Sequence, residues 1–416
     1  MLSWSRELCE RVWDTAHSVR GCRVVGALAV SAGLASLGWA PAALAAPKGA
    51  FSEFPTLTER SQPSRITAGP EGNLWFTESA TDKIGRITPS GKMSEFAIPT
   101  AQSGPRGITA GPEGDLWFTE GLADKIGRIT PSGAITEFSI STPGSVPYEI
   151  TAGPGGDLWF TQPDSNQIGR ITPSGVITEF ALPQDGIYLG KVGSSFPYGI
   201  AAGPDGNIWF TELHASAIGR ITPSGALTEF KLPAAGSFPS RITAGPDGNI
   251  WFTEAFAGKI GQITPNGAIS EFRIHTRGSD ADGITAGPEG NLWFTEESSD
   301  KIGRITPRGK IRDFYVPTAL SRPDGIAAAD GAIWFTEVFT NKIVRVSPRL
   351  LTAKCLVPHL KGKTLVQAKK LLGRANCGVG TVAKPSQHKH ELVVISQKPP
   401  AGKALTGGTK VSVRLG

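Results

Sequence analysis

The apolar residues of this chain recur at a nearly fixed interval. A Trp-Phe pair occurs seven times, and successive tryptophans are separated by 42, 42, 50, 42, 42 and 41 residues. The tryptophans are Trp75, Trp117, Trp159, Trp209, Trp251, Trp293 and Trp334. A constant period of this length indicates a repeat architecture in which each repeat is one supersecondary unit.

Each repeat contains four short runs with the composition of β-strands. In the second repeat they are "GITA", "LWFTE", "KIGRIT" and "ITEF", separated by Gly- and Pro-containing segments that are typical of turns. None of them has helical periodicity, and "LWFTE" carries large apolar side chains at successive positions, so both of its faces must be covered. Four-stranded sheets stacked around an axis supply this environment. The pattern therefore predicts an all-β fold, a β-propeller.

The outermost strands indicate seven blades and the way in which the ring closes. The segment "ITEF", or a variant of it, follows six of the seven Trp-Phe pairs, and the last copy ends at Phe314. The missing copy is "FSEF", residues 51–54, which precedes the first repeat. We therefore expect this N-terminal strand to complete the seventh blade, so that no sheet edge stays open.

A glutamate follows the Trp-Phe-Thr segment in six repeats, and such a ring resembles a set of metal ligands. The six are Glu78, Glu120, Glu212, Glu254, Glu296 and Glu337. Five residues later a lysine stands in five of these repeats, whereas Ala217 follows Glu212; in the third repeat Gln162 is matched by Gln167. Because the two charges disappear together in the third repeat, we predict Glu–Lys pairs across the hairpins instead of a metal site.

The N-terminal 45 residues differ in composition from the repeats. Basic residues are followed by the apolar run "VVGALAVSAGLASLGWA" and by Ala43-Leu44-Ala45, which is typical of a secretory signal peptide. The alternative is an uncleaved membrane anchor. We assign residues 1–45 to the signal, 46–349 to the propeller, 350–354 to a linker and 355–416 to a small C-terminal domain.

The C-terminal domain differs from the propeller in charge and in cysteine content. It holds eleven of the Lys and Arg residues and one Glu, which predicts attraction to anionic surfaces. It has neither interleaved aromatic residues nor a groove-entering motif, so nucleic acid is not an expected partner. Cys355 and Cys377 remain after the signal is removed, and a disulfide between them fits an exported protein. The alternative is two unrelated buried thiols.

The segment "KTLVQAKKLLGRANC" predicts one amphipathic helix capped by Thr364, and "ELVVISQ" and "KVSVRLG" predict strands, which makes a small α+β domain. The whole of residues 355–416 resembles a PASTA domain, the module found on bacterial cell-wall enzymes and kinases. The resemblance rests on Val357, Pro358, Gly362, Thr364, Leu365, Ala368, Gly380, Val382, Ser396, Gln397, Pro400, Ala401, Gly402 and Gly408. It implies binding of peptidoglycan or another anionic wall polymer, and a secreted or wall-associated protein.

The repeats themselves, as in "AAGPDGNIWFTE" and "IGRITPSGALTEF", closely resemble the streptogramin B (virginiamycin B) lyase family over about residues 50–349. The resemblance implies a seven-bladed propeller that opens the lactone of streptogramin B antibiotics by Mg²⁺-assisted elimination. In that family a His precedes the inner strand of the sixth repeat, and a Glu-x-His containing the base precedes that of the seventh. A further Glu after the seventh Trp-Phe pair helps to hold the metal.

These family positions are occupied here by Asp282, Arg322, Asp324 and Val338. Asp324 could accept a proton only if burial raised its pKa, and Arg322 cannot bind Mg²⁺, which requires oxygen ligands. We therefore assign no catalytic residue and no cofactor, and Mg²⁺ is implied only if the chain acts as a lyase.

Two departures from the repeat are candidate sites. Asp280, Asp282 and Glu297 cluster in the sixth repeat and could bind a hard cation; the alternative is a solvated acidic loop. The longer third interval contains an insertion, and insertions at a channel mouth often carry function. The candidate ligand residues near it are Tyr188, Lys191, Tyr198, Glu212 and His214. The alternative is a tolerated surface insertion.

Three functions remain open at this stage. We expect a monomeric, wall-associated protein whose propeller binds a small-molecule or wall-derived ligand. The second hypothesis is a Mg²⁺-dependent carbon–oxygen lyase that uses carboxylates in place of the histidines. The third is a structural propeller without a small-molecule ligand.

Overall fold

The structure is a computed structural model of the chain. It describes residues 50–184, 186–188, 191–352, 355–375, 377–385, 392–405 and 409–416. The predicted signal peptide lies outside the described residues. None of the helices among the described residues has the length and apolar content needed to cross a bilayer.

Seven four-stranded antiparallel sheets form the main body, and we number these blades 1 to 7 by the order of their first strands. The first strands are Pro63–Ala68, Pro105–Ala110, Ile150–Ala152, Pro197–Ala202, Pro239–Ala244, Ala281–Ala286 and Pro323–Ala329. The second strands are Leu74–Glu78, Leu116–Glu120, Leu158–Gln162, Ile208–Glu212, Ile250–Glu254, Leu292–Glu296 and Ala332–Glu337.

The other two strands of each blade lie farther from the axis. The third strands are Lys83–Ile87, Lys125–Ile129, Gln167–Ile171, Ala217–Ile221, Lys259–Ile263, Lys301–Ile305 and Lys342–Val346. The outermost strands are Met93–Ala97, Ile135–Ser139, Ile177–Ala181, Leu227–Lys231, Ile269–Arg273, Ile311–Tyr315 and, for blade 7, Phe51–Pro55. First strands of neighbouring blades contact each other around the whole ring, so they line the central channel.

The N-terminal strand closes the ring as predicted. Phe51 is paired with Val346 and Pro55 with Lys342 in the third strand of blade 7. Phe54 stacks on Trp334 at a centroid distance of 5.9 Å, as the outermost phenylalanine of other blades stacks on its own tryptophan. The all-β propeller with seven blades is therefore confirmed.

The second strands are buried on both faces because each lies between two other blades. All five residues of "LWFTE" in blade 1 are buried, and the same holds in the other blades. Close packing also fixes one glycine. A Cβ on Gly85 would lie 2.1 Å from the ring of Phe76, so a larger residue there would displace the ring.

A ring of threonine hydroxyls joins each blade to the next. In blade 5, Thr253 accepts a hydrogen bond from the backbone N–H of Arg241 at 3.0 Å and donates to the carbonyl of Asp282 in blade 6 at 2.9 Å. The same bridge recurs in all blades, and Thr336 closes the ring on Ser64 at 2.7 Å. These bonds satisfy buried backbone groups and fix the beginnings of the first strands, where the channel residues lie.

Three further segments complete the propeller region. The insertion between blades 3 and 4 forms a small hairpin of Gly186–Tyr188 and Lys191–Gly193. Short 3₁₀ helices are Pro70–Gly72, Pro112–Gly114, Pro154–Gly156, Pro288–Gly290 and Glu297–Ser299. Helix Pro348–Thr352 overlaps the predicted linker, and its Leu351 packs into the core of blades 6 and 7.

The C-terminal domain has the predicted helix, Leu365–Arg374. Thr364 and Gln367 form a reciprocal capping box, in which each backbone N–H donates to the other side chain at 3.1 and 3.4 Å. The strands are Cys355–Leu356, Gly378–Ala383, Val394–Lys398, Ala404–Leu405 and Lys410–Leu415. Cys377 is buried, whereas the side chain of Cys355 lies outside the described residues, so the disulfide stays a prediction.

Candidate ligand site at the channel mouth

The channel residues differ from blade to blade although the blades are repeats. Two residues follow the proline or alanine that begins most first strands, and those that are not glycine contact one another at one end of the channel. These pairs are Ser64-Arg65, Arg106-Gly107, Tyr148-Glu149, Tyr198-Gly199, Ser240-Arg241, Asp282-Gly283 and Asp324-Gly325. Sequence reasoning missed Arg65, Arg106, Tyr148, Glu149 and Arg241. These residues could have been identified from the sequence, because the two positions at the beginning of each first strand vary among repeats that are otherwise alike.

Arg65 is the centre of a buried ion network. Its Nε lies 2.6 Å from Glu149 Oε1, its Nη2 lies 3.1 Å from Asp282 Oδ2, and its Nη1 contacts Asp324 Oδ1. Arg241 joins the same network, at 3.0 Å from Glu149 and 3.3 Å from Asp282. Two guanidinium groups thus hold three carboxylates that meet from blades 3, 6 and 7.

Hydroxyl groups fix the two aspartates further. Ser64 donates to Asp324 Oδ2 at 3.0 Å, and Ser240 donates to Asp282 Oδ1 at 2.6 Å. The two residues that occupy the family's histidine positions are therefore already bonded on both carboxylate oxygens.

Burial sets the protonation of this network. It raises the pKa of Glu149 to about 7 and that of Asp324 to about 6, and the charge of Arg65 opposes both shifts. Burial works to lower the pKa of Arg65, but the three carboxylates outweigh it and hold that pKa well above its usual value. Arg65 is thus a permanent cation, whereas Glu149 and Asp324 can take up protons as the pH falls below 7.

The predicted cation cluster in blade 6 has protein partners. Glu297 Oε1 accepts from Arg322 Nε at 3.0 Å, and Asp280 Oδ2 accepts from Ser298 at 3.2 Å. Asp282 is held by the two channel arginines, as described above. No group of three or more His, Cys, Asp or Glu side chains in the described part of the chain is arranged to hold a metal ion.

The family's Mg²⁺ does not fit the residues at its expected position. Arg322 replaces one glutamate with a cation, and it is paired with Glu297. Val338 replaces the other glutamate with an apolar side chain. A hard cation needs several oxygen ligands, and these two positions supply none.

The five candidate ligand residues are distributed over three places. Tyr188 and Lys191 face each other in the small hairpin, and their side chains lie outside the described residues. Glu212 is paired with Ala217 as predicted, but it is fully buried at the end of its strand. Among the candidates whose side chains the structure describes, Tyr198 and His214 belong to the aromatic rings that begin at the channel.

Tyr198 and His214 are part of a continuous series of rings, which we call the aromatic row. It consists of Tyr148, Tyr198, Phe196, His214, Phe238 and Phe256. Successive centroids are separated by 4.4, 6.4, 4.6, 6.5 and 4.7 Å. Burial lowers the pKa of His214 to about 4, so this imidazole is neutral at physiological pH. The row extends from the channel across blades 3, 4 and 5.

The predicted ion pairs between the second-strand glutamates and the third-strand lysines were wrong, because the lysines bind a different acid. Glu78 and Lys83 are in the predicted register, but the Lys83 ammonium binds Glu95 of the outermost strand at 2.8 Å. Blades 2, 5 and 7 have the equivalent contact. The outermost strand brings a second acid to each hairpin, which the hairpin alone does not reveal.

Blade 3 shows what the second-strand position does. Gln162 donates from Nε2 to Glu179 Oε1 at 2.7 Å. In blade 2, burial and the charge of Glu137 raise the pKa of Glu120 to about 8. A protonated Glu120 can donate as the Gln162 amide does, whereas an ionised one cannot.

Comparisons with known proteins identify the family of the propeller and of the C-terminal domain. The model of the Virginiamycin B lyase family matches residues 40–193 and 187–361, and that of the PASTA domain matches residues 356–416. No curated protein sequence matches the chain.

Solved structures of lyases are similar over the propeller. A crystal structure of virginiamycin B lyase from Staphylococcus aureus is 41% identical, with a TM-score of 0.67, and covers 71% of this chain and 98% of that one. A streptogramin B lyase structure is 39% identical, with the same TM-score and coverage of 71% and 96%. A catalytically inactive His-to-Ala variant of the S. aureus enzyme with quinupristin is 40% identical, with a TM-score of 0.67 and coverage of 71% and 98%. The chain belongs to the virginiamycin B lyase family and carries a C-terminal PASTA domain.

Proposed function

We propose that this protein is an exported, wall-associated binding protein in which the propeller binds a ligand at the channel mouth without the lyase reaction. The observation that carries the proposal is the state of Asp282 and Asp324. Both stand where the family has histidines, and both are bound by the buried Arg65 and by a serine hydroxyl. A proton taken up by either carboxylate would weaken its ion pair with Arg65, so the role of general base competes with the structural role of these residues.

The C-terminal domain supports the location. PASTA domains typically bind peptidoglycan-related ligands, which suggests an extracellular or cell-wall context. The excess of Lys and Arg over Glu in residues 355–416 would strengthen attraction to an anionic polymer. In this proposal residues 1–45 direct export, and the PASTA domain holds the propeller near the wall.

A pull-down tests this proposal. Purified peptidoglycan is incubated with the full-length mature protein and with a truncated protein of residues 47–354. Strong retention of the full-length protein and weaker retention of the truncated protein is expected. Equal absence of both from the bound fraction would contradict a wall-associated function.

One observation favours the lyase as a second candidate function. The pKa values of about 6 for Asp324, about 7 for Glu149 and about 8 for Glu297 lie near working pH, as a general base requires. The purified protein is incubated with a type B streptogramin and Mg²⁺, and ring opening is followed by mass spectrometry. We expect no linear product. Product that disappears in Asp324→Ala would establish the lyase and overturn the first proposal.

A further inference from the structure

The charges and rings at the channel mouth indicate a ligand class. We propose that the site binds a small molecule in which a carboxylate is attached to a ring, with Arg106 holding the carboxylate and the aromatic row packing against the ring. This inference rests on the proposed binding function, since it names the ligand of the same face.

Arg106 differs from the other channel arginines in its partners. Arg65 and Arg241 are neutralised by the buried carboxylates, and Arg322 is paired with Glu297. Arg106 forms no ion pair with any residue that the structure describes, and its Nε is buried without a hydrogen-bond partner there. The residue itself is partly exposed, so an anionic group can reach its guanidinium, and a guanidinium binds carboxylates in a two-pronged geometry.

Arg106 is also held in position. Its guanidinium lies over the ring of Tyr148, 4.9 Å from the centroid. Gly121 also leaves room for the side chain, because a Cβ there would lie 2.9 Å from Arg106 Nε. The cation is therefore fixed at the channel end of the aromatic row.

The repeat backbone places two phenylalanines of the aromatic row. Phe196 and Phe238 stand two residues before the channel pair of their blade, a position that has a positive φ in all seven blades; the angles are 59° and 51° here, and 49–55° at Gln62, Gly104, Val146, Asp280 and Arg322. The conformation therefore belongs to the repeat, and the aromatic side chain at this position is what distinguishes blades 4 and 5. Phe256, at the outer end of the row, is 42% exposed.

A cationic ligand would compete with Arg65 and Arg241, because Glu149, Asp282 and Asp324 each already bind one or both of these arginines. Three carboxylates face two arginines, and protonation relieves the excess negative charge, since burial raises the pKa of Glu149 to about 7 and that of Asp324 to about 6. The remaining charge at the inner end of the row is the Arg106 cation. A ligand with an anionic group at one end and a ring at the other matches both parts.

The test uses the full-length mature protein and two pairs of probes, each consisting of an acid and its carboxamide. One pair is N-acetylmuramic acid and its amide, and the other is phenylacetate and phenylacetamide. Dissociation constants are measured by calorimetry or NMR titration. We expect at least one acid to bind about tenfold or more tightly than its neutral partner, as a charge-assisted bond provides. The preferred pair tells whether the ring is a sugar or an arene.

Two variants assign the effect to residues. Arg106→Gln is expected to abolish the preference for the acid, whereas Arg86→Gln, the same change at a guanidinium stacked on Trp75, keeps it. Phe256→Ala is expected to weaken both members of the preferred pair about threefold, and the exposed Val176→Ala is its control. Both test residues are partly exposed, and thermal unfolding of each variant verifies that it is folded.

Equal affinity for acid and neutral partner, or an unchanged preference in Arg106→Gln, would overturn the inference. So would the failure of all four probes to bind. Retention of residues 47–354 by peptidoglycan, measured in parallel, separates the two failures. If the truncated protein is retained and no probe binds, only the ligand class is wrong; if neither occurs, the binding function of the propeller fails as well.

Discussion

The second strand is nearly the same in all seven blades, whereas the beginning of the first strand changes around the ring. Each "WFT" segment is enclosed by two neighbouring blades, and its threonine bridges to the next blade. The first-strand positions face the channel, where seven different neighbours meet. The second-strand residues are repeated because their surroundings are the same in all seven blades. The channel residues vary because their surroundings differ from blade to blade. Within this family, scaffold and chemistry can thus be separated by position in the repeat.

The largest loss of stability is expected from a substitution in the second strands, whose sequence is repeated in every blade. Trp209 is fully buried and stacks on Phe230 at 5.5 Å. Trp209→Ala removes this ring from a close-packed core, so it should lower the free energy of unfolding by about 3–5 kcal/mol. Urea denaturation measures the loss, and the exposed Val176→Ala should stay within about 0.5 kcal/mol of the unmodified protein. A similar loss in both variants would contradict the distinction.

A channel variant should be destabilising for an electrostatic reason instead. Arg65→Met leaves three buried carboxylates with one arginine fewer, which costs about 3 kcal/mol or more at pH 8. The loss should become smaller at pH 5, because Glu149 and Asp324 can then take up protons. Urea denaturation at both pH values checks this, with Arg86→Met as the control. An equal loss at pH 5 and pH 8 would show that packing, and not charge, holds the channel together.

The fold could be predicted from the sequence because its determinants are local and repeated. The 42-residue period gave the blades, and the displaced "FSEF" gave the closure, since each depends on residues within one repeat or on a count of repeats. Thr364 and the apolar face after it gave the C-terminal helix for the same reason.

The candidate site could be predicted only in part. Arg65 and Glu149 lie 84 residues apart and meet only when seven blades form a ring, so no local pattern pairs them. The family comparison located Asp282 and Asp324, but it could not show which arginines bind them. The Glu–Lys prediction failed for a related reason, because Glu95 reaches Lys83 from a different strand.

The threonines that bridge neighbouring blades should contribute less to the free energy of unfolding than the buried tryptophans or the channel ion network. Thr253→Val removes a hydroxyl that serves two buried backbone groups, in blades 5 and 6. Leaving them without a partner should cost about 1–3 kcal/mol. Thr222→Val, in a surface turn, is the matched control and should cost less. Denaturation curves compare the two, and an equal cost would show that the bridge between blades adds no stability.

The smallest expected effect concerns the proton held in each blade. The folded-state pKa of Glu120 is about 8, raised from 4.5 by burial and by Glu137. Because folded protein then binds more protons than unfolded protein, this group stabilises the fold fully below pH 4.5. Its contribution is lost as the pH rises toward 8. The lowered pKa of Glu137 acts in the opposite direction, but only below about pH 4.5.

Blade 3 supplies the matched pair of variants for this test. Glu120→Gln should make the decrease in stability between pH 5 and pH 8 shallower, and Gln162→Glu should make it steeper. Each change should be on the order of 1 kcal/mol across this range, since a single group contributes at most about 1.4 kcal/mol per pH unit and local relaxation reduces it. Urea denaturation at four pH values measures both slopes. If both variants kept the slope of the unmodified protein, the second-strand glutamates would be ionised in the fold. Glu120 would then resemble Gln162 in shape only and would not donate a hydrogen bond as the Gln162 amide does.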